Sequence, residues 1–373
     1  LPSLLPRRLL SSFPPSPPSR TAVAVTGASG YIGSFVVSEL LSRGYDVRAP
    51  VRNSASNPSK TAHLRALPGP GRLTVFDGGD LSLPGSFDAA FAGCGAVIHT
   101  AAEVALSAEQ SVVDASVEGT GNVLESVDRA TEVQRFVQTS SVAAIQRYDM
   151  PEGHVFDERD WNTWSSMENG DAYGVAKTRA EELVHAHFRG GGRRAAAVNP
   201  GVVIGPVMTK AHTKASAVFL RDAIFGNEVM NFPATFVDVR DVATAHVNAM
   251  ERLGEGGAAE GARYILVNGE RCLREGGVAL GPIAERLFPE HAFRPRPRYP
   301  ETAMRILRPL AALPVVGGMI MTEVQRKAQC TPIEFSNARA TEELGVDFRS
   351  LDTTVKEGVE SIVELGFAKM KRK

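Results

Sequence analysis

The chain has 373 residues, 43% of them hydrophobic, which is enough to bury a large core and suits one big α/β unit or two intimate domains rather than a string of small modules. Its 41 basic and 42 acidic side chains nearly cancel, so nothing in the overall charge points to nucleic acid or an anionic membrane surface, and small molecules are the expected partners. Cys94, Cys272 and Cys330 stand far apart with no CxxC pair, against a structural zinc or a disulfide framework, and no apolar run approaches the roughly 20 residues of a membrane helix, so a soluble chain without a metal site is expected.

Residues 1–20 are rich in Pro, Ser and Leu and hold Arg7, Arg8 and Arg20, and the first acid is Glu39. Two readings stay open, an organellar transit peptide and a disordered tail. Location therefore stays open between plastid, mitochondrion and cytoplasm. Residues 22–25 form a short apolar run entering a Gly-rich turn, and Ile32, Phe35, Val36, Leu40 and Leu41 then fall at helical spacing over 31–42. Further strands are expected over 45–51, 73–76, 96–99, 135–138 and 194–198, with a long amphipathic helix over 171–188. Strands alternating with helices predict an α/β fold, a Rossmann-type doubly wound parallel sheet with right-handed crossovers. Past Gly205 loops and Pro-rich stretches such as 293–300 alternate with helix-like segments at 218–225, 301–313 and 322–330, which predict a smaller, mostly helical C-terminal region that binds substrate. The division expected is a leader at 1–20, a cofactor-binding domain at 21–205 to which 236–255 returns, and a substrate-binding region at 206–235 and 256–373.

The chemistry begins at Thr26-Gly27-Ala28-Ser29-Gly30-Tyr31-Ile32-Gly33. A turn between strand and helix sets backbone N–H groups and the positive helix end against a pyrophosphate, and glycines let the backbone approach with no Cβ in the way. The spacing is GxxGxxG, and its place after the first strand predicts a bound dinucleotide. Arg52 ends the second strand, Arg48 and Lys60 are near it, and no acid occurs between Asp46 and Asp77, so a 2′-phosphate, hence NADP(H), is favoured over the bare ribose of NAD. Tyr173 and Lys177 stand at i and i+4 on one helix face, where the ammonium favours tyrosinate and lowers a pKa that starts at about 10. Thr139-Ser140-Ser141 closes the fifth strand at its carboxyl end, where open α/β sheets bind ligands and a hydroxyl can hold a substrate oxygen.

These motifs, with VRAPVRN from Val47, GDL from Gly79, HTAA from His99, TSSVAA from Thr139, YGVAKTRAEE from Tyr173, NPGVVIGP from Asn199 and FVDVRDVATAHVNAM from Phe236, resemble the extended short-chain dehydrogenase/reductase family, part of the NAD-dependent epimerase/dehydratase superfamily. The resemblance runs from residue 22 to about 365 and is strongest to the dihydroflavonol-reductase-like branch and its aldehyde (carbonyl) reductases. It implies that Gly27, Ser29, Gly30, Tyr31, Ile32 and Gly33 hold the pyrophosphate, Arg52 and Lys60 the 2′-phosphate, and Asp80 and Leu81 the adenine. Thr100, Ala101 and Ala102 would line the path to the nicotinamide ribose with Thr139 beside them, while Pro200 and Val203 would meet the carboxamide end. Ser141, Tyr173 and Lys177 would be catalytic: hydride passes to a carbonyl carbon, Ser141 holds the carbonyl oxygen, Tyr173 donates the proton, and Lys177 both binds the ribose and lowers the Tyr173 pKa.

Three departures bear on substrate and proton path. Ser116 stands where the family often has the Asn of a water relay, Gln146 replaces the Asn or Asp that holds a flavonoid, and Asn169-Gly170-Asp171-Ala172 replaces the Asn-Trp-Tyr-Cys run of cinnamoyl-CoA reductases. His99, His185 and His187 read as packing residues, Trp161 and Trp164 as aromatic anchors of a surface loop, and 369–373 as a solvated basic tail. Two other functions stay open, a nucleotide-sugar epimerase or dehydratase retaining NAD and a noncatalytic cofactor-binding subunit. A monomer or homodimer is expected, with a larger assembly left open.

Overall fold

The computed structural model describes residues 22–102, 109–151, 153–214, 216–229, 232–256, 261–269, 272–297, 327 and 333–367. The leader, the helical segment expected at 301–313, all but Lys327 of that at 322–330, and the basic tail lie outside these residues.

Seven parallel strands form the central sheet: β1 (Ala22–Thr26), β2 (Val47–Val51), β3 (Leu73–Asp77), β4 (Cys94–His99), β5 (Arg135–Thr139), β6 (Arg194–Pro200) and β7 (Ala262–Leu266). Their order is β3-β2-β1-β4-β5-β6-β7, so the chain reverses its direction of travel between β1 and β4. Crevices outside the carboxyl ends of such neighbours are where open α/β sheets bind ligands. Every residue of β1 and β4 is buried, because helices cover both faces; the strands read as continuous apolar runs for that reason. Val23 and Val25 enter one core layer with helices α1 (Tyr31–Ser42) and α5 (Val239–Gly254), while Ala22 and Ala24 enter another with α2 (Gln110–Arg129) and α3 (Ala172–Phe188). Helix α5 lies along α1 and spans β5 and β6, placing 239–254 on the sheet.

Two-residue and three-residue strands tie the loops together: Val202–Ile204 pairs with Phe236–Asp238, Glu228–Val229 with Arg296–Pro297, and Val155–Phe156 with Glu334–Phe335. Beyond the sheet, α4 (Val218–Phe225), α6 (Leu280–Leu287) and α8 (Leu351–Glu364) pack on one another, while α7 (Ala338–Leu344) packs on α5 and β7. Among the described residues no helix is long and apolar enough to cross a membrane.

β7 corrects the sequence reading, which placed 256–373 wholly in the substrate-binding region. The strand was hidden because Arg263 interrupts an apolar run of only five residues, and a charge in a strand buried along its whole length is disfavoured unless a partner waits for it. That partner is Glu181 of α3.

Candidate active site

The Gly-rich turn is shaped by what cannot fit beside it. Gly27 has φ +66°, and a Cβ there would lie 2.7 Å from the amide nitrogen of Ala101. A Cβ on Gly33 would lie 2.2 Å from the Gly27 carbonyl oxygen, so α1 packs straight onto the turn. Gly30 caps α1 without a side-chain bond, and the first turn of α1 carries no acid, which leaves the positive helix end open to an anion beside Ser29. Of Tyr31 and Ile32 the main chain lies at the turn; the Tyr31 ring is buried against Phe35 and His212, with centroids 6.0 and 5.6 Å away. Ser34, one residue past the motif, was missed by the sequence reading. Its Oγ donates to the Gly30 carbonyl at 2.6 Å and meets His63 Nε2 at 3.0 Å, bracing the turn from behind.

The far end of the crevice is cationic. Lys60 Nζ donates to the Arg52 carbonyl at 3.0 Å, and the Arg52 guanidinium, 57% exposed, stands 3.8 Å from Asp80. Asp77, the nearest acid to the end of β2, is already engaged: its carboxylate accepts from Ser54 N at 2.7 Å and from Ser54 Oγ at 3.3 Å. Asp80 accepts from the amide and hydroxyl of Ser82, which hold its carboxyl below the usual range. Leu81 fits because Gly119 faces it, and Asn122 Nδ2 donates to its carbonyl at 2.7 Å.

Between these ends the tails of β1 and β4 are fastened together. Thr100 Oγ1 donates to the Thr26 carbonyl at 2.7 Å. The Thr26 hydroxyl accepts from Ala101 N at 3.3 Å and shares a hydrogen bond with His99 Nδ1, 2.7 Å away. Burial, followed by the charge of Lys177, pushes the His99 pKa down to about 3 and keeps the ring neutral. His246 behaves alike: Nδ1 donates to Val242 O, Nε2 accepts from the Thr139 hydroxyl, both at 2.7 Å, and burial lowers the ring to about 4. Well above pH 6.5 both rings are neutral folded or unfolded and make no pH-dependent contribution. Below it the unfolded chain takes up protons that the fold refuses, so stability falls as pH drops from about 6.5 towards 4, by roughly 2 kcal/mol per ring at pH 5. Urea unfolding of His246→Gln at pH 7 and pH 5 is expected to show a smaller loss between the two pH values than the parent chain, and an equal loss would refute this account.

Ser141 stands two residues past the end of β5, and its Oγ accepts from Ala143 N at 3.1 Å, opening the turn Val142–Ala144. Tyr173 is the second residue of α3 and Lys177 follows one turn later, its Nζ 6.0 Å from the phenol ring centroid. Lys177 lines a small cavity with His99, Ala101, Ala102, Ser116 and Thr139, so the residue that departs from the family pattern, Ser116, faces the same cavity as Lys177. Leu81 lines it too. Pro200 and Val203 are buried where β6 ends and Val202–Ile204 begins.

A relay of polar side chains joins the Ser141 turn to the helix of Tyr173, and the sequence reading missed it. Asn162 donates from Nδ2 to Ala143 O at 2.7 Å and to Ser165 Oγ at 2.6 Å, and from its amide to Ala144 O at 3.0 Å. Ser165 Oγ in turn donates to Asp171, the N-cap of α3, whose other oxygen accepts from Gly174 N at 3.0 Å. A Cβ on residue 174 would lie 2.4 Å from that carboxylate, which is why glycine follows Tyr173. Asn169 and Asp171, set apart above as a departure, thus serve local structure: Asn169 Nδ2 donates to Trp164 O at 2.8 Å. Lys177, Thr139, Ala101 and Ala102 thus line one cavity, the Ser141 turn is tied to the start of α3 through Asn162, Ser165 and Asp171, and Arg52, Lys60 and Asp80 lie together past the end of β2.

The model of the NAD dependent epimerase/dehydratase family matches residues 23–263. The chain belongs to this family. It is 30% identical over 364 residues to cinnamoyl-CoA reductase CAD2 of Medicago truncatula, covering 93% of this chain and 97% of the relative. It is 33% identical over 256 residues to dihydroflavonol 4-reductase of Arabidopsis thaliana, covering 66% of this chain and 65% of that one. The epimerase/dehydratase fold is shared with the crystal structure of Gre2 from Candida albicans in complex with NADPH, at a TM-score of 0.70, 22% identity, and coverage of 92% and 99% of the two chains.

Proposed function

We propose that the chain is an NADPH-dependent oxidoreductase that reduces a small-molecule aldehyde or ketone to the alcohol. What supports the proposal is the packing of the helix that carries Tyr173 and Lys177 against the Ser141 turn beyond the carboxyl end of β5, with the glycine turn at the carboxyl end of β1 in the same sheet. That turn fits a pyrophosphate: the approach of Gly27 and Gly33 to their neighbours excludes side chains, and no acid or cap competes at the start of α1. A bound nicotinamide supplies the hydride.

The chain's own residues supply the rest. Ser141 Oγ offers a hydrogen bond to the carbonyl oxygen, Tyr173 Oη gives it the proton, and the Lys177 ammonium favours the tyrosinate left behind. Arg52 and Lys60 present cations to a 2′-phosphate, and Asp77, paired in register with the end of β2, already accepts from the amide and hydroxyl of Ser54 on one carboxylate oxygen. The names of the curated relatives, both reductases, and the NADPH in the Gre2 complex agree with this reading.

The test follows cofactor absorbance with a panel of aliphatic, aromatic and dicarbonyl aldehydes. Oxidation of NADPH in preference to NADH supports the proposal; tight binding with no turnover on any carbonyl, or no net cofactor consumption with a nucleotide sugar epimerised instead, overturns it. Arg52→Ser is expected to weaken NADPH binding by about tenfold while leaving NADH unchanged, the size of one charge-assisted hydrogen bond. Fluorescence titration with both cofactors checks this, and equal losses for the two would remove Arg52 from the 2′-phosphate site.

A further inference from the structure

Glu181 lies on α3 one turn beyond Lys177 and is fully buried. Three other segments of the fold converge on it, the end of β5, β6 and β7. Its Oε2 accepts from Ser140 Oγ and from Asn199 Nδ2 at 2.8 Å, and the same Asn199 amide donates to the Ser141 carbonyl at 3.1 Å. Its Oε1 is bound by Arg263 Nε of β7, and His185 Nε2 stands 3.5 Å away. Arg263, itself 3% exposed, reaches on to the Ala144 carbonyl at 3.2 Å and to the Glu158 carbonyl at 3.1 Å, its guanidinium lying 3.8 Å from the Trp161 ring centroid. The Ser141 turn is thus gripped at the residue before it, at its own carbonyl and at its last residue, each time by a group tied to this carboxylate.

Burying an ion pair is a poor way to gain stability, since the desolvation of two charges commonly matches or exceeds their attraction, and an apolar pair of the same volume would pack as well. What the pair supplies here is direction. A carboxylate with several donors at fixed angles has one acceptable arrangement, and this one is on the same rigid helix as Tyr173 and Lys177. Burial would raise its pKa, and His185, Arg263 and Ser140 together hold it below the usual range instead.

We infer that Glu181, with Arg263 as its counter-ion, is the positioning residue that fixes the Ser141 hydroxyl relative to Tyr173 and Lys177. The inference rests on the roles proposed above for Ser141 and Tyr173. Glu181 touches no substrate, and its effect passes through Ser140, Asn199 and the Ser141 backbone.

Because Glu181→Gln leaves Arg263 buried without its anion, Ser140→Ala carries the test; it cuts one link to the Ser141 turn and leaves the ion pair intact. Steady-state kinetics, NADPH titration and thermal unfolding are measured for Ser140→Ala, Ser141→Ala and the double variant, with Glu181→Gln added where it remains folded. A misplacement near 1 Å costs roughly 100-fold, so a smaller shift is expected to cost about tenfold in kcat, with NADPH affinity and Tm close to those of the parent. The same substitution made in the Ser141→Ala background is expected to cost little further, because the group it positions is gone. An equal loss in both backgrounds, or unchanged kcat for Ser140→Ala, overturns the inference and leaves the proposed function standing. A Ser141→Ala variant as active as the parent, or a parent without carbonyl turnover, overturns the reading on which it rests.

Discussion

Tyr173→Phe is expected to lower kcat by roughly 100-fold to 10,000-fold, the range associated with loss of a positioned general acid. The change removes one oxygen and nothing else that the fold uses. Helix α3 begins through Asp171 and Gly174, neither of which touches the phenol oxygen, so the helix, Lys177 and the cavity beside it stay in place. NADPH affinity is therefore expected to remain within about twofold of the parent, since the interactions proposed for the pyrophosphate and 2′-phosphate lie elsewhere in the crevice. Retained activity within about fivefold would mean that some other group delivers the proton, because loss of a general acid costs far more than that. Loss of cofactor binding with activity would mean instead that Tyr173 has a role in holding the nicotinamide end.

Gly33→Val is expected to be as damaging by a different route. The added Cβ would fall 2.2 Å from the Gly27 carbonyl oxygen and 2.7 Å from Thr100 Oγ1, and the first of these is backbone that has no rotamer to change. Helix α1 must move off the turn, and overpacking of this kind typically costs about 1–3 kcal/mol. The same movement spoils the anion seat, so NADPH binding and Tm are expected to fall together. Gly121→Ala is the matched control: it lies in α2 with nothing within 4 Å of its added Cβ, and helix propensity favours alanine there by about 1 kcal/mol. Calorimetry and cofactor titration of the two variants separate packing from propensity. A stable Gly33→Val chain that binds NADPH normally would remove the turn from the site.

The first six strands were legible because each sets several apolar residues next to a turn, as a run in β1 and by alternation in β2, and helix α1 was legible to the residue because its apolar positions repeat at helical spacing between Gly30 and the Gly44 turn. The crevice was legible for the same reason that it is chemically constrained: glycines at 27, 30 and 33 and the pair Tyr173 and Lys177 have fixed spacings along one chain. Pairings between distant segments left no such trace. Thr26 with His99, Thr139 with His246, and Glu181 with Arg263 are 73, 107 and 82 residues apart, and nothing in the local pattern of either partner declares the other. Arg263 even argued against its own strand, since charge in a buried run reads as a break until its counter-ion is known. Ser34 and Asn162 were overlooked for a humbler reason, as single polar residues in a helix and a loop look solvated until their neighbours are seen.

The separation of Glu181 from Arg263 also has a temporal side. A ribosome adding 5–20 residues per second finishes the carboxylate roughly 4–16 s before the guanidinium 82 positions later. During that interval β1 to β6 exist in the nascent chain, but the carboxylate on α3 has no guanidinium to meet and cannot enter a dry interior at low cost. The last strand laid against the sheet is thus the one that neutralises its middle. A chain cut short before residue 262 would lose more than an edge: it would keep Glu181, Ser140 and Asn199 and lack the guanidinium that pairs with the carboxylate among them.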